Sequence, residues 1–185
     1  VIPEIDRRTF LRGATGAGTL LALGGALPLG ACTFASAGAP PADLAVLSPR
    51  AWATLASFAD YVIPRGGAFE AGAADVGVAN LVDRWLDGAD PQLVTDLRRG
   101  LALLEWGPLL LGFAVRPLTA LPPESAEAYL ASLPASRYGF VRQLHGALSE
   151  LCLLAFYSTH SAWRAIGYDG PIVVGSAEST EWEQR

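Results

Sequence analysis

Ser48-Pro49-Arg50-Ala51-Trp52-Ala53-Thr54-Leu55-Ala56-Ser57-Phe58-Ala59-Asp60-Tyr61-Val62-Ile63-Pro64 carries its own start and stop signals. Ser48 offers a side-chain oxygen to the free N–H groups of a first helical turn. Pro49 follows at the position where a missing N–H costs nothing and a fixed φ helps. Trp52, Leu55, Ala56, Ala59, Val62 and Ile63 then recur at spacings of three and four, which draws one apolar stripe along a helix. Pro64 disfavours helical backbone at the residue before it and ends the run. A stripe of this kind must be buried against other elements, so the segment predicts a helix laid on a core.

The same grammar repeats downstream. Arg65-Gly66-Gly67 is a turn, and a second helix begins near Asp75 or Gly77. The spacing puts Val78, Leu81, Val82 and Trp85 on its buried face and Asp83, Arg84 and Asp87 outside, with Gly88 as its stop. Asp90-Pro91 opens a third helix, striped by Leu93, Val94, Leu97, Leu101, Leu104 and Trp106, and Pro108 kinks or breaks it. Leu109-Leu110-Leu111-Gly112-Phe113 is apolar on all sides and needs a cover, from its own core or from a partner. Pro122-Pro123-Glu124 starts a short helix to Leu133 with Ala126, Tyr129 and Leu130 inward. A long helix runs from about Arg137 to Phe156 with Phe140, Val141, Leu144, Leu148, Leu151 and Ala155 as its stripe. Its second half is apolar right round, which marks a central or interface helix. Ile172-Val173-Val174 is the one strand-like run and is too short to build a sheet. The prediction is all-α: a single compact domain of about five helices over residues 44–174, with a polar tail over 175–185.

Working outward to the beginning of the chain, Asp6-Arg7-Arg8-Thr9-Phe10-Leu11-Arg12 precedes a mild apolar run from Ala14 to Ala31. Basic, then apolar, then small residues is the order of an export signal. The pair Arg7-Arg8 with Phe10 and Leu11 resembles the twin-arginine export signal of bacteria. That route carries proteins already folded, so the resemblance implies folding before export. Leu29-Gly30-Ala31-Cys32 resembles a lipoprotein cleavage box, which would make Cys32 a lipid-bearing first residue held at a membrane surface. Ala35-Ser36-Ala37 is a competing cleavage site that would discard Cys32. Residues 1–37 are therefore read as signal and tether, and Ala35 to Asp43, with Pro40-Pro41, as a flexible link.

The chain has 185 residues and a net charge of −5. Arg7, Arg8 and Arg12 against Glu4 and Asp6 give the first 31 residues +1, so the remainder carries −6. An acidic body without a basic stripe argues against a nucleic-acid partner. Although 51% of the residues are hydrophobic, no stretch after the signal runs about 18 apolar residues without a charge, so no second membrane span is predicted.

Residues suited to catalysis are few. There are two histidines: His145 within the long helix, which reads as a helix-surface or core-edge residue, and His160 in Ser158-Thr159-His160-Ser161, where no acid is placed to orient the ring. His160 reads as the start of a short helix with Ser158 or Thr159 as N-cap. Cys152 lies among leucines, where a thiol is inert. Gly13-Ala14-Thr15-Gly16-Ala17-Gly18 lacks a preceding strand and belongs to the signal. Asp83 and Asp87 stand one helical turn apart without a histidine on that face, so no metal site is expected there and no catalytic set is found.

Ala155-Phe156-Tyr157-Ser158-Thr159-His160-Ser161-Ala162-Trp163-Arg164-Ala165-Ile166-Gly167-Tyr168-Asp169-Gly170-Pro171 resembles the C-terminal signature of the gluconate 2-dehydrogenase subunit 3 family. Leu47-Ser48-Pro49, Leu55 to Asp60 and Val62-Ile63-Pro64 resemble that family's opening helix, and Ala71 to Asp83 is similar to its next segment. The middle, Leu86 to Arg137, offers nothing to match. The resemblance implies an accessory role: a non-catalytic small subunit that accompanies a large FAD-dependent catalytic subunit of the glucose–methanol–choline type, with a multihaem cytochrome c as a frequent third subunit. It further implies that the small subunit takes its folded partner through the twin-arginine translocase to the periplasm, where partners or a lipid hold the complex at the membrane. Phe156, Tyr157, Trp163, Ile166 and Tyr168 are then expected to dock the large subunit, since aromatics anchor interfaces; the competing reading is that they close the helical core. A free-standing exported or lipid-anchored binding protein is the alternative to the subunit reading, and a small independent enzyme the third.

Overall fold

The computed structural model describes residues 38–169, and these are helical throughout their ordered elements with no strand. Seven α-helices follow one another: α1 (Pro49–Val62), α2 (Ala73–Val76), α3 (Val78–Leu86), α4 (Pro91–Leu110), α5 (Pro123–Ser132), α6 (Gly139–Tyr157) and α7 (His160–Ala165). Single 3-10 turns, Leu118–Ala120 and Leu133–Ala135, precede and follow α5. Five of the helices exceed two turns, as the sequence predicts; α7 is the short helix expected at His160, and α2 is a short addition at a loop end. Among the described residues no helix is long and apolar enough to cross a membrane. The expected signal residues Arg7, Arg8, Phe10 and Leu11, the lipidation candidate Cys32, and the tail over 175–185 lie outside the described residues.

α1 is the axis of the domain. Its start follows the sequence: Ser48 Oγ accepts the Ala51 N–H at 3.2 Å, and Pro49 is the first helical residue. α3, α4 and α6 all pack against it. A helix enclosed on several sides has little outward face, so burial reaches beyond the single stripe to Ala53, Thr54 and Phe58.

The expected face of α3 is corrected at two positions. Asp83, placed outside by the sequence pattern, is only 3% exposed, while Trp85, placed inside, is 42% exposed. The buried row is Val78, Ala79, Val82, Asp83 and Leu86. The cause lies in the segment before α1. The backbone N–H groups of Ala45, Val46 and Leu47 donate to the Asp83 carboxylate at 2.7, 3.0 and 2.7 Å. Three backbone donors arriving at one point need an acceptor, and a short acid on α3 supplies it. Ahead of this clasp Pro40 and Pro41 are half-buried, and Gly38, Ala39 and Pro41 line a cavity of about 230 Å³ with Trp52 and Asn80.

α4 runs through Pro108 to Leu110, so the proline neither ends the helix nor leaves its ladder open. Pro108 has no N–H for the carbonyl of Leu104 one turn back. The Tyr129 hydroxyl of α5 donates to that carbonyl instead, at 3.2 Å. Gly107 makes the room: a Cβ there would lie 1.9 Å from Tyr129 Oη. Leu101 and Leu104 are buried as expected, whereas Leu93 and Trp106 face outward. On α6, Val141, Leu148, Cys152, Ala155 and Phe156 are buried, and Phe140 is exposed at the end of the predicted stripe.

Candidate partner interface

Among the described residues the buried polar side chains Thr54, Asp83 and Glu105 tie elements of the fold together. Glu105, 2% exposed, accepts from the Thr119 hydroxyl at 2.6 Å and from the Thr119 N–H at 3.2 Å. Thr54 Oγ1 lies 3.1 Å from Glu105 and 2.9 Å from the Arg50 carbonyl, and its one proton serves either at a time. The acid thus ties α1, α4 and the 3-10 turn before α5 together. Burial pushes the neighbouring Tyr129 hydroxyl up to about 12, with the charge of Glu105 adding to the effect. Sequence reading missed both Asp83 and Glu105, because an acid inside a helix carries no local sign that distant backbone will come to it.

The residues singled out as possible chemistry are apart from one another. His145 packs edge-on against Phe58 and Tyr61, with ring centroids 5.5 and 6.5 Å away, and its Nε2 has no hydrogen-bond partner. Burial holds its pKa below the usual histidine value. His160 opens α7 behind the N-cap Thr159, and its ring meets Trp163 at a tilt of 55°, with centroids 4.6 Å apart. Cys152 is fully buried and burial pushes its thiol up to about 12, which leaves no thiolate at neutral pH. Asp60 caps the Ala74 N–H at 3.1 Å, and burial raises its pKa against the lowering effect of that bond. Among the described residues no group of His, Cys, Asp and Glu could hold a metal ion.

The five predicted docking residues divide between core and surface. Phe156 is 1% exposed and belongs to the core, so its placement on a docking surface is corrected. Its ring is enclosed by Phe69, 5.1 Å away, which brings the loop after α1 down onto α6. Tyr157, Ile166 and Tyr168 are exposed, and Trp163 is half-buried. The Trp163 indole N–H donates to the carbonyl of Tyr157, the last residue of α6, at 2.6 Å, and the Tyr168 ring meets Trp163 edge-on at 5.5 Å. Gly167, at φ +69°, supplies the left-handed turn that folds Tyr168 back. Leu153 and Leu154 extend this corner along α6 with further exposed apolar surface.

A second apolar surface lies at the other end of the bundle. Leu109, Leu110, Leu111 and Phe113, flagged in the sequence as needing a cover, remain exposed at the end of α4. Phe140 lies across a cleft of about 60 Å³ from Leu110 and Leu111, with Tyr129 and Leu133 in its wall. Two exposed apolar surfaces thus lie on one small domain.

A family model described as gluconate 2-dehydrogenase subunit 3 matches residues 49–170. No curated protein and no solved structure matches the chain.

Proposed function

The chain belongs to the gluconate 2-dehydrogenase subunit 3 family, and from that membership we propose that it is the non-catalytic small subunit of a dehydrogenase complex. The catalytic work falls to a large FAD-dependent subunit of the glucose–methanol–choline type, and a multihaem cytochrome c can complete the assembly. The observation that carries this reading is the pairing of exposed apolar surface at Tyr157, Ile166 and Tyr168 with a set of polar side chains committed to holding helices. Such a body is suited to binding.

Export is the second half of the proposal. Arg7, Arg8, Phe10 and Leu11 address the chain to the twin-arginine translocase, and the folded catalytic subunit travels with it to the periplasm. Cys32, where it is retained, adds a lipid that holds the complex at the membrane surface. The experiment is co-expression of the chain with its catalytic partner, with Arg7 and Arg8 intact or both changed to Lys. The reading expects dehydrogenase activity in the periplasm only with the arginine pair. Activity that reaches the periplasm regardless of the pair removes the escort role.

A further inference from the structure

Of the nine arginines among the described residues, seven have no carboxylate partner. Two such cations flank one basin. Arg50, the second residue of α1, and Arg98, on α4, are both exposed, and both border a hollow of about 380 Å³ together with Ser48, Thr54 and Ala102. Among the described residues the ion pairs are Arg65–Asp75 and Arg99–Asp96, and neither of the two basin arginines has a carboxylate partner. Glu105 lies at the basin floor, but its oxygens are taken by Thr54 and Thr119. Arg98 donates to the Val46 carbonyl, and the Arg50 guanidinium stands over the Trp106 ring, 5.5 Å from its centroid.

Arg98, Ala102, Trp106 and Leu110 succeed one another at intervals of four on α4, so they form one ridge of its outer face. All four are exposed; Trp106 is 41% exposed and Leu110 68%. The ridge is about 18 Å long, from the rise of an α-helix. It changes character along its length, from guanidinium through indole to aliphatic. Arginine and tryptophan are the residue types that dominate binding energy at protein interfaces.

We propose that this ridge and basin receive an amphipathic helix of the catalytic subunit. An acidic side chain of that helix enters between Arg50 and Arg98, and its apolar residues lie along Trp106 and Leu110. Charge complementarity fixes the direction of the incoming helix, because reversing it would set its acid against Leu110 and its apolar residues against two guanidinium groups. This inference rests on the subunit reading and adds to it a second contact, on α1 and α4, apart from the aromatic corner at α7.

The test uses the full chain and the catalytic subunit, with affinity measured between the purified proteins at several salt concentrations. Arg50→Glu is compatible with the fold, since an acid in the first turn of α1 suits the helix dipole. Arg98→Gln keeps a donor for the Val46 carbonyl. Arg84→Glu, on the exposed side of α3, is the control. The proposal expects Trp106→Ala to weaken binding roughly thirtyfold and Arg50→Glu about tenfold or more. It also expects Arg50→Glu and Arg98→Gln to flatten the salt dependence, while Arg84→Glu leaves it as in the unaltered chain. Wild-type association with Arg50→Glu and Trp106→Ala binding equally well overturns the ridge and leaves the subunit reading standing. A wild-type chain that does not associate overturns the subunit reading and the ridge with it.

Discussion

Tyr129 Oη donates to the carbonyl of Leu104, the one acceptor in α4 that Pro108 strips of its partner. The contact lets an apolar helix run on past a proline and carry Leu109 and Leu110 out to the surface. Tyr129→Phe should lower stability by about 1–2 kcal/mol, because it leaves a buried carbonyl unpaired. Gly107→Ala should destabilise as well, since its methyl would sit 1.9 Å from the same hydroxyl. Urea unfolding of the two single variants and the double variant checks the link. The losses should be less than additive, because removal of the hydroxyl relieves the clash.

Asp83 gathers three N–H groups from the segment that leads into α1. Asp83→Ala should cost about 3 kcal/mol or more, since it leaves a partly buried row of donors without an acceptor. Asp83→Asn, which retains one acceptor oxygen, should cost less. Proteolysis should find the chain before Ser48 more readily in the Ala variant, which reads the release of residues 38–47 directly.

Most of the fold could be read from caps and prolines. Ser48-Pro49 and Asp90-Pro91 open α1 and α4 at the predicted residues, because cap chemistry is local. The errors are long-range. Asp83 is inside because residues 36–38 positions earlier in the chain return to it, and Pro108 is tolerated because Tyr129 reaches it from α5. Neither partner is visible within a window of sequence. The docking residues suffered in the same way. Phe156 and Tyr157 are neighbours on an all-apolar stretch; Phe69 arrives from the loop after α1 and packs against both rings, at 5.1 and 5.8 Å, yet only Phe156 is enclosed.

Burial raises the pKa of Asp60, so its proton is held more tightly in the folded chain than in the unfolded one. Stability from this group is therefore fully present below the unfolded value and is lost as pH rises through the folded value. Asp60→Asn mimics the protonated state and keeps an oxygen for the Ala74 N–H. It should raise the melting temperature at neutral pH, and the gain should vanish in acid. His145 runs the other way. Its pKa is lowered by burial, so acidification through the ordinary histidine value should destabilise the fold, and His145→Phe should remove that part of the pH dependence.

At the C-terminal corner, support and contact are separable. Trp163 braces the corner through the Tyr157 carbonyl, whereas the Tyr157 and Tyr168 rings face outward. Tyr157→Ala and Tyr168→Ala should weaken co-purification with the catalytic subunit while the isolated domain melts within about 1 kcal/mol of the wild type. Trp163→Ala should weaken the complex and loosen the corner together. Loss of stability without loss of the complex would make these residues structural alone.

The most direct measurement is a tagged purification of this chain with its catalytic partner, followed by separation of the two and assay of flavin content and dehydrogenase turnover in each. The subunit account predicts that the chains come off together, and that flavin and turnover then stay with the large one. Tightly held flavin, or oxidation of any sugar or alcohol by this chain alone, would contradict it.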